Sequence, residues 1–186
     1  MKTALLVVDV QQSFTRRPYW SDTEAGEFVV RVQGLVDQFE QRGLPILQVF
    51  HLDESEGSNG VFARESGLVA TLPGLRIHPT DVFYKSVHSA MFASNAVGQS
   101  VDYWLRRNEV NRIVVTGIRT EQCCETTTRH ASDLGYSVTY AIDATLTFPM
   151  VSRSGRGYNV AEIRERTELV LSGRFAEVTQ AAAVRL

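Results

Sequence analysis

Short apolar runs alternate with longer segments in which apolar residues recur at helical spacing. The short runs are rich in β-branched residues, as in strands buried on both faces of a sheet, and lie at 3–9, 44–50, 82–85, 112–117 and 136–142. The helical segments lie at about 28–39, 95–108, 122–134 and 160–172, and a weak strand signal follows at 175–178. Strands that alternate with helices in this way predict an α/β fold with a mostly parallel sheet.

The first helical segment carries start and stop signals. Ser21 and Glu24 have the spacing of a capping box, and Gly43 lies where a left-handed residue would end the helix. The polar, Gly- and Ser-rich stretch 53–60 is predicted to be a loop.

Composition limits the classes of function. The 186 residues suit a single domain over 1–186, and a net charge of −2 gives no basic footprint for nucleic acid. No stretch approaches the roughly 20 apolar residues of a membrane span, so we expect neither a nucleic-acid partner nor a membrane. The two cysteines, Cys123 and Cys124, are adjacent and cannot link distant segments, which favours a reducing, cytoplasmic setting.

Residues that can carry chemistry fall at the ends of predicted strands. Asp9, Lys85, Gly117 and Asp143 lie at or just past these ends, and Cys123 follows near the start of a predicted helix. In parallel sheets ligands bind beyond the carboxyl ends of the strands, so the pattern predicts a site at this edge.

Cys123 is the candidate nucleophile. At a helix N-terminus the dipole and free N–H groups are expected to lower the thiol pKa below roughly 8.5. Asp9 could then take the thiol proton, while Lys85 holds the carboxylate and favours the thiolate. The alternatives are an inert buried cysteine, an aspartate that binds loop amides and a solvated lysine. Cys124 is predicted to face the core.

Four segments resemble the motifs of the isochorismatase-like cysteine hydrolases, which include nicotinamidases, N-carbamoylsarcosine amidohydrolases and ureidoacrylate-type amidases. Residues 117–127 (GIRTEQCCETT) resemble the signature Gly-x-x-Thr-x-x-Cys-Val-x-x-Thr. Residues 9–14 resemble Asp-x-Gln-x-x-Phe, residues 85–90 resemble Lys-x-x-x-Ser-Ala, and residues 135–144 resemble Gly-Tyr…Asp-Ala. The order and spacing of these segments hold across nearly the whole chain.

The resemblance implies a three-layer α/β/α fold around a mostly parallel, about six-stranded sheet. It implies a catalytic triad of Asp9, Lys85 and Cys123 and a cis peptide bond between Ile118 and Arg119. The backbone N–H groups of Arg119 and Cys123 would form an oxyanion hole. Relatives are commonly dimers or tetramers, so a homodimer or homotetramer is expected.

The chain also departs from the family motifs. His51 and Asp53 occupy the stretch where nicotinamidases bind zinc, but the second histidine of that pair is missing, so we expect no metal and no cofactor. Arg119 replaces a small residue and would either bind a substrate carboxylate or reach solvent. Loops around 15–21, 53–66 and 145–159 are expected to set specificity, with Tyr19 beside the site. The candidate pocket residues are Gln11, Phe14, Trp20, Met91, Arg119 and Phe148.

The function predicted from these residues is hydrolysis of a small carboxamide or ureido compound through a thioester on Cys123. Two alternatives stay open. One is hydrolysis of a vinyl ether, as in the isochorismatase branch. The other is a thiol-based binding or redox-sensing protein, suggested by the Cys123–Cys124 pair.

Overall fold

A computed structural model describes residues 2–55 and 57–186, so Glu56 of the predicted loop 53–60 lies outside the described residues. The strands are β1 (Lys2–Val8), β2 (Ile46–His51), β3 (Asp81–Lys85), β4 (Ser94–Asn95), β5 (Val110–Ile118), β6 (Ser137–Leu146), β7 (Met150–Val151), β8 (Gly157–Tyr158) and β9 (Glu177–Thr179). The α-helices are α1 (Asp22–Gln41), α2 (Val101–Arg107), α3 (Glu125–Asp133) and α4 (Val160–Leu171).

Seven strands form the central sheet in the order β4-β3-β2-β1-β5-β6-β9. All neighbours pair in parallel except β4, a two-residue strand that runs antiparallel to β3 at the edge. The prediction of an α/β fold with a mostly parallel, about six-stranded sheet is therefore confirmed.

Helices cover both faces of the sheet, which explains why residues 4–8 of β1 are all apolar. Leu5 and Val7 pack with α1 on one face, whereas Leu6 and Val8 pack with α2 and α3 on the other. Because both faces are covered, every position from Thr3 to Val8 is buried, and only Lys2 at the start of the strand is exposed. Within the described ranges, no helix is long and apolar enough to cross a membrane.

Two predicted details of the helices, the start of α2 and the capping box of α1, are wrong for local reasons. The helix predicted at 95–108 begins only at Val101, because Ser94 and Asn95 pair with β3 and the Ser100 hydroxyl caps the helix. Ser21 is at the N-cap of α1, but its side chain makes no capping hydrogen bond. A complete capping box instead starts α4, at Asn159 and Glu162.

Candidate active site

Asp9 follows β1 directly, at the point where the backbone turns away from the sheet. Its φ is +55°, a left-handed conformation, and its N–H donates to the Val49 carbonyl of β2 at 2.8 Å. On the other side, Gly117 of β5 approaches so closely that a Cβ there would overlap the Val8 carbonyl oxygen. The two neighbouring strands therefore hold Asp9 in place, and its side chain is completely buried.

Lys85, the last residue of β3, reaches across the edge of the sheet to Asp9. Its Nζ lies 2.7 Å from Asp9 Oδ2, 3.5 Å from Cys123 Sγ and 3.2 Å from His51 Nδ1. Both members of the Lys85–Asp9 ion pair are fully buried. The structure thus brings together Asp9, Lys85 and Cys123, which are far apart in the chain.

Cys123 lies in a wide helical turn, Thr120–Cys124, that precedes α3. Its side chain reaches the Lys85 ammonium and is 7% exposed. Cys124 is fully buried and packs in the core cluster, as predicted. The two adjacent thiols are therefore in different environments, and only Cys123 lines the cavity beside Asp9.

The expectation of a lowered pKa for Cys123 is wrong. Burial, together with the negative charge of Asp9, raises the pKa of the Cys123 thiol from 9.0 to about 12, and the charge of Lys85 opposes this only in part. Burial also acts to lower the pKa of Lys85, but the charges of Asp9 and Cys123 outweigh it and leave that pKa raised. The raised pKa favours the neutral thiol of Cys123, which lies beside the Lys85–Asp9 ion pair.

A cavity of about 170 Å³ opens beside the thiol. It is lined by Asp9, Phe14, Arg17, Tyr19, His51, Asp53, Phe62, His88, Gln122 and Cys123. Within the described part of the chain, Asp9 Oδ1 is buried and has no hydrogen-bond partner. This oxygen is the one acceptor of the carboxylate that Lys85 does not use.

Of the candidate pocket residues, only Phe14 lines this cavity; the other side chains support the fold around it. Gln11 bridges β1 and β2, because its side chain accepts from the His51 N–H at 2.7 Å and donates to the His51 carbonyl at 3.0 Å. Met91 and Phe148 are buried in the two core clusters. Trp20 packs against Phe148, with ring centroids 5.7 Å apart.

Arg119 does not reach the cavity either. Its guanidinium lies 3.0 Å from Glu121 Oε1 and over the rings of Tyr19 and Phe148, at 5.1 and 5.6 Å from their centroids. The side chain is only 11% exposed. Neither predicted alternative for Arg119 therefore holds, since its charge is engaged within the protein. The peptide bond between Ile118 and Arg119 is cis.

One other sequence expectation, the placement of Asp143 at the site, also needs correction. Asp143 lies within β6, and its carboxylate accepts from the Ala181 N–H at 2.6 Å, so it supports the C-terminal segment rather than the site. His51 and Asp53 both line the cavity. Among the residues that the structure describes, no three His, Cys, Asp or Glu side chains are grouped so that they could hold a metal ion.

Four cavity residues were missed: Arg17, Phe62, His88 and Gln122. The first two lie in loops without periodicity, where the Arg17 guanidinium packs over the Phe62 ring at 5.0 Å from its centroid. Gln122 directly precedes Cys123, and His88 lies within the Lys-x-x-x-Ser-Ala segment. Position relative to a motif could have identified Gln122 and His88, whereas Arg17 and Phe62 were indicated only by their place in the loops 15–21 and 53–66 that were expected to set specificity.

Comparison with known proteins finds relatives that match most of the chain. One relative is the uncharacterized isochorismatase family protein YrdC of Bacillus subtilis. It is 24% identical over 95% of this chain and 91% of its own length. Nicotinamidase 3 of Arabidopsis thaliana is 26% identical over 78% of this chain and 73% of its own length. A crystal structure of an isochorismatase-family protein from Chromobacterium violaceum superimposes with a TM-score of 0.83 at 27% identity, covering 97% of this chain and 90% of that one.

The family model described as the isochorismatase domain matches residues 3–183, which is nearly all of the chain and includes Asp9, Lys85 and Cys123. The protein therefore belongs to the isochorismatase family and is a hydrolase of that family.

Proposed function

We propose that the protein hydrolyses the C–N bond of a small carboxamide or ureido compound, with Cys123 as nucleophile. The observation that carries this proposal is the position of Lys85. One ammonium lies 2.7 Å from Asp9 and 3.5 Å from the Cys123 sulfur, and both of these partners line the cavity. A carboxylate next to a thiol can act as its general base, and the fixed ammonium stabilises the charge that moves between them.

The first half of the reaction forms a thioester. Asp9 takes the thiol proton through Oδ1, which has no hydrogen-bond partner among the described residues, as the sulfur attacks the substrate carbonyl carbon. The backbone N–H groups of Arg119 and Cys123 hold the resulting oxyanion. When the C–N bond breaks, Asp9 gives the proton to the departing nitrogen, which leaves as ammonia or an amine.

The second half regenerates the thiol. Water attacks the thioester carbonyl, and Asp9 takes one proton from that water. The C–S bond breaks, the acid leaves and Asp9 returns the proton to the sulfur. Over the cycle one water and one amide become one acid and one amine or ammonia. Because burial and the charge of Asp9 raise the pKa of the thiol, we expect proton transfer to Asp9 to accompany the attack.

The cavity limits the size of the substrate. Its volume of about 170 Å³ is below the roughly 300–1,000 Å³ of pockets that enclose drug-sized ligands. The name of one relative, Nicotinamidase 3 of Arabidopsis thaliana, is consistent with a small amide as the class of substrate. The presence of Cys123 disfavours the vinyl ether alternative, which does not need a cysteine.

The test is an ammonia-release screen across small primary amides and N-carbamoyl compounds. Cys123→Ala and Cys124→Ala form a matched pair, because they remove adjacent thiols of which only one lines the cavity. We expect the wild type and Cys124→Ala to release ammonia from the same substrates and Cys123→Ala to release none. Mass spectrometry of rapidly quenched reactions should show the acyl adduct on Cys123. Equal turnover by Cys123→Ala would refute the covalent mechanism.

A further inference from the structure

His51 lies next to Lys85 across the sheet. It is the last residue of β2 and pairs in register with Lys85 on β3, so both side chains lie at the same edge. Its backbone is held on both sides by the Gln11 side chain, at 2.7 and 3.0 Å. Its ring contacts Phe62 edge-on, with centroids 5.8 Å apart. The imidazole is therefore fixed before any substrate enters.

The Lys85 ammonium has three hydrogens and three acceptors. The acceptors are Asp9 Oδ2 at 2.7 Å, His51 Nδ1 at 3.2 Å and Cys123 Sγ at 3.5 Å. Since an ammonium can donate only three hydrogen bonds, these contacts use all of them. Lys85 accordingly has no donor left for a substrate. Its role is to stabilise the negative charge of Asp9 and the charge that develops on the Cys123 sulfur.

This arrangement fixes the protonation state of His51. An ammonium is only a donor, so Nδ1 must be the acceptor, and the ring is neutral with its proton on Nε2. Burial lowers the pKa of His51, and the charge of Lys85 lowers it further. Asp9 and Asp53 oppose this shift, whereas His88 adds to it. The neutral ring is thus the stable form at neutral pH.

We propose that His51 is a positioning residue for the reaction: its Nδ1 holds the third N–H of Lys85, which keeps the other two on Asp9 and on the Cys123 sulfur. This role rests on the proposed function, because it acts on the nucleophile and base named there. The charge of Lys85 acts to lower the pKa of Cys123, so a misplaced ammonium would leave the thiol harder to ionise.

The test compares His51→Asn with His51→Leu, two side chains of similar length. The Asn oxygen can occupy the place of Nδ1 and accept from Lys85, whereas Leu cannot accept. Both are made in the Cys124→Ala background, so that Cys123 is the only thiol. Alkylation of Cys123 by iodoacetamide at pH 8 is followed by mass spectrometry, and thermal unfolding monitors the fold. Alkylation requires no turnover, so its result is independent of whether any amide is hydrolysed.

We expect His51→Leu to slow alkylation about tenfold or more. Loss of one hydrogen bond to a charged group changes an equilibrium constant by about tenfold or more. His51→Asn should stay within about threefold of the parent. With an amide substrate identified by the screen, kcat should show the same order while KM changes less. The same loss in both variants, no loss in His51→Leu, or a loss confined to KM would each overturn the positioning role.

Discussion

Replacing Asp9 with Asn should change the reactivity and the catalytic activity of Cys123 in opposite directions. The negative charge of Asp9 is one cause of the raised thiol pKa, so its removal should make the thiolate more abundant. The same substitution removes the proposed base, so amide hydrolysis should be lost. A residue that only maintained the shape of the site would lower both activities together.

The size of the first effect follows from the thiol pKa. At a pKa of about 12, only about one Cys123 in ten thousand is a thiolate at pH 8. A like charge within a few ångströms typically raises a pKa by about 1–3 units. Each unit removed gives about tenfold more thiolate, but it also lowers the nucleophilicity of that thiolate by about 0.4–0.5 log units. The net gain is about threefold per unit, or about 3- to 30-fold in alkylation rate.

Two measurements on Asp9→Asn separate these effects. Iodoacetamide alkylation of Cys123 should be faster than in the parent, and ammonia release should fall by about 10²–10⁴, the typical contribution of a general base. Asp53→Asn is the matched control, because it removes a solvent-accessible carboxylate from the same cavity and should change neither rate greatly. Slower alkylation in a folded Asp9→Asn protein, or turnover close to that of the parent, would refute the assigned role of Asp9.

Three further predictions concern stability, measured by urea unfolding. Gly117→Ala should lower the free energy of unfolding by about 3 kcal/mol or more, because φ is +140° and a Cβ would overlap the backbone of β1. Gly34→Ala is the control: the position is in open space on α1, so the substitution should raise stability. The stability of the parent should fall above pH 9, since the thiol of Cys123 ionises at 9.0 when unfolded but at about 12 when folded. Cys123→Ala should reduce the loss of unfolding free energy above pH 9 by about 1.4 kcal/mol per pH unit. If the parent and Cys123→Ala lost stability with pH at the same rate, the shifted pKa would be contradicted. Lys85→Met should lose about 3–5 kcal/mol by leaving the Asp9 charge unpaired, and adding Asp9→Asn should recover part of that loss.

The sequence predicted the inner strands of the sheet well because β1, β2, β5 and β6 are buried over most of their length. Each of them appears as a short apolar run, and a charged residue such as Asp9 or Lys85 marks the end of a strand. It predicted the start of α2 poorly, because the edge pairing of Ser94 with Tyr84 depends on a contact between strands that no local pattern reveals.

The pocket was harder to predict than the fold for a related reason. Apolar side chains in loops, such as Phe148 and Met91, carry no signal that separates core from cavity, and both proved to be core residues. Phe62 lies far from every motif in the chain and reaches the cavity only through the folded loop. The thiol pKa was misjudged because the sequence indicated a helix start but not the burial around Cys123.

The state of the thiol also bears on the redox-sensing alternative. Peroxide reacts with thiolates, and cysteines that sense oxidants have lowered pKa values and open access to solvent. Cys123 has a raised pKa and is 7% exposed. Cys124 is fully buried, and this burial is the main cause of its raised pKa. The raised pKa and the low exposure both disfavour oxidation by peroxide. Neither prevents the attack of Cys123 on a substrate carbonyl, because Asp9 removes the thiol proton during that step. Mild peroxide should therefore leave Cys123 largely unmodified under conditions in which amide turnover continues, and rapid formation of a sulfenic acid there would reverse this preference.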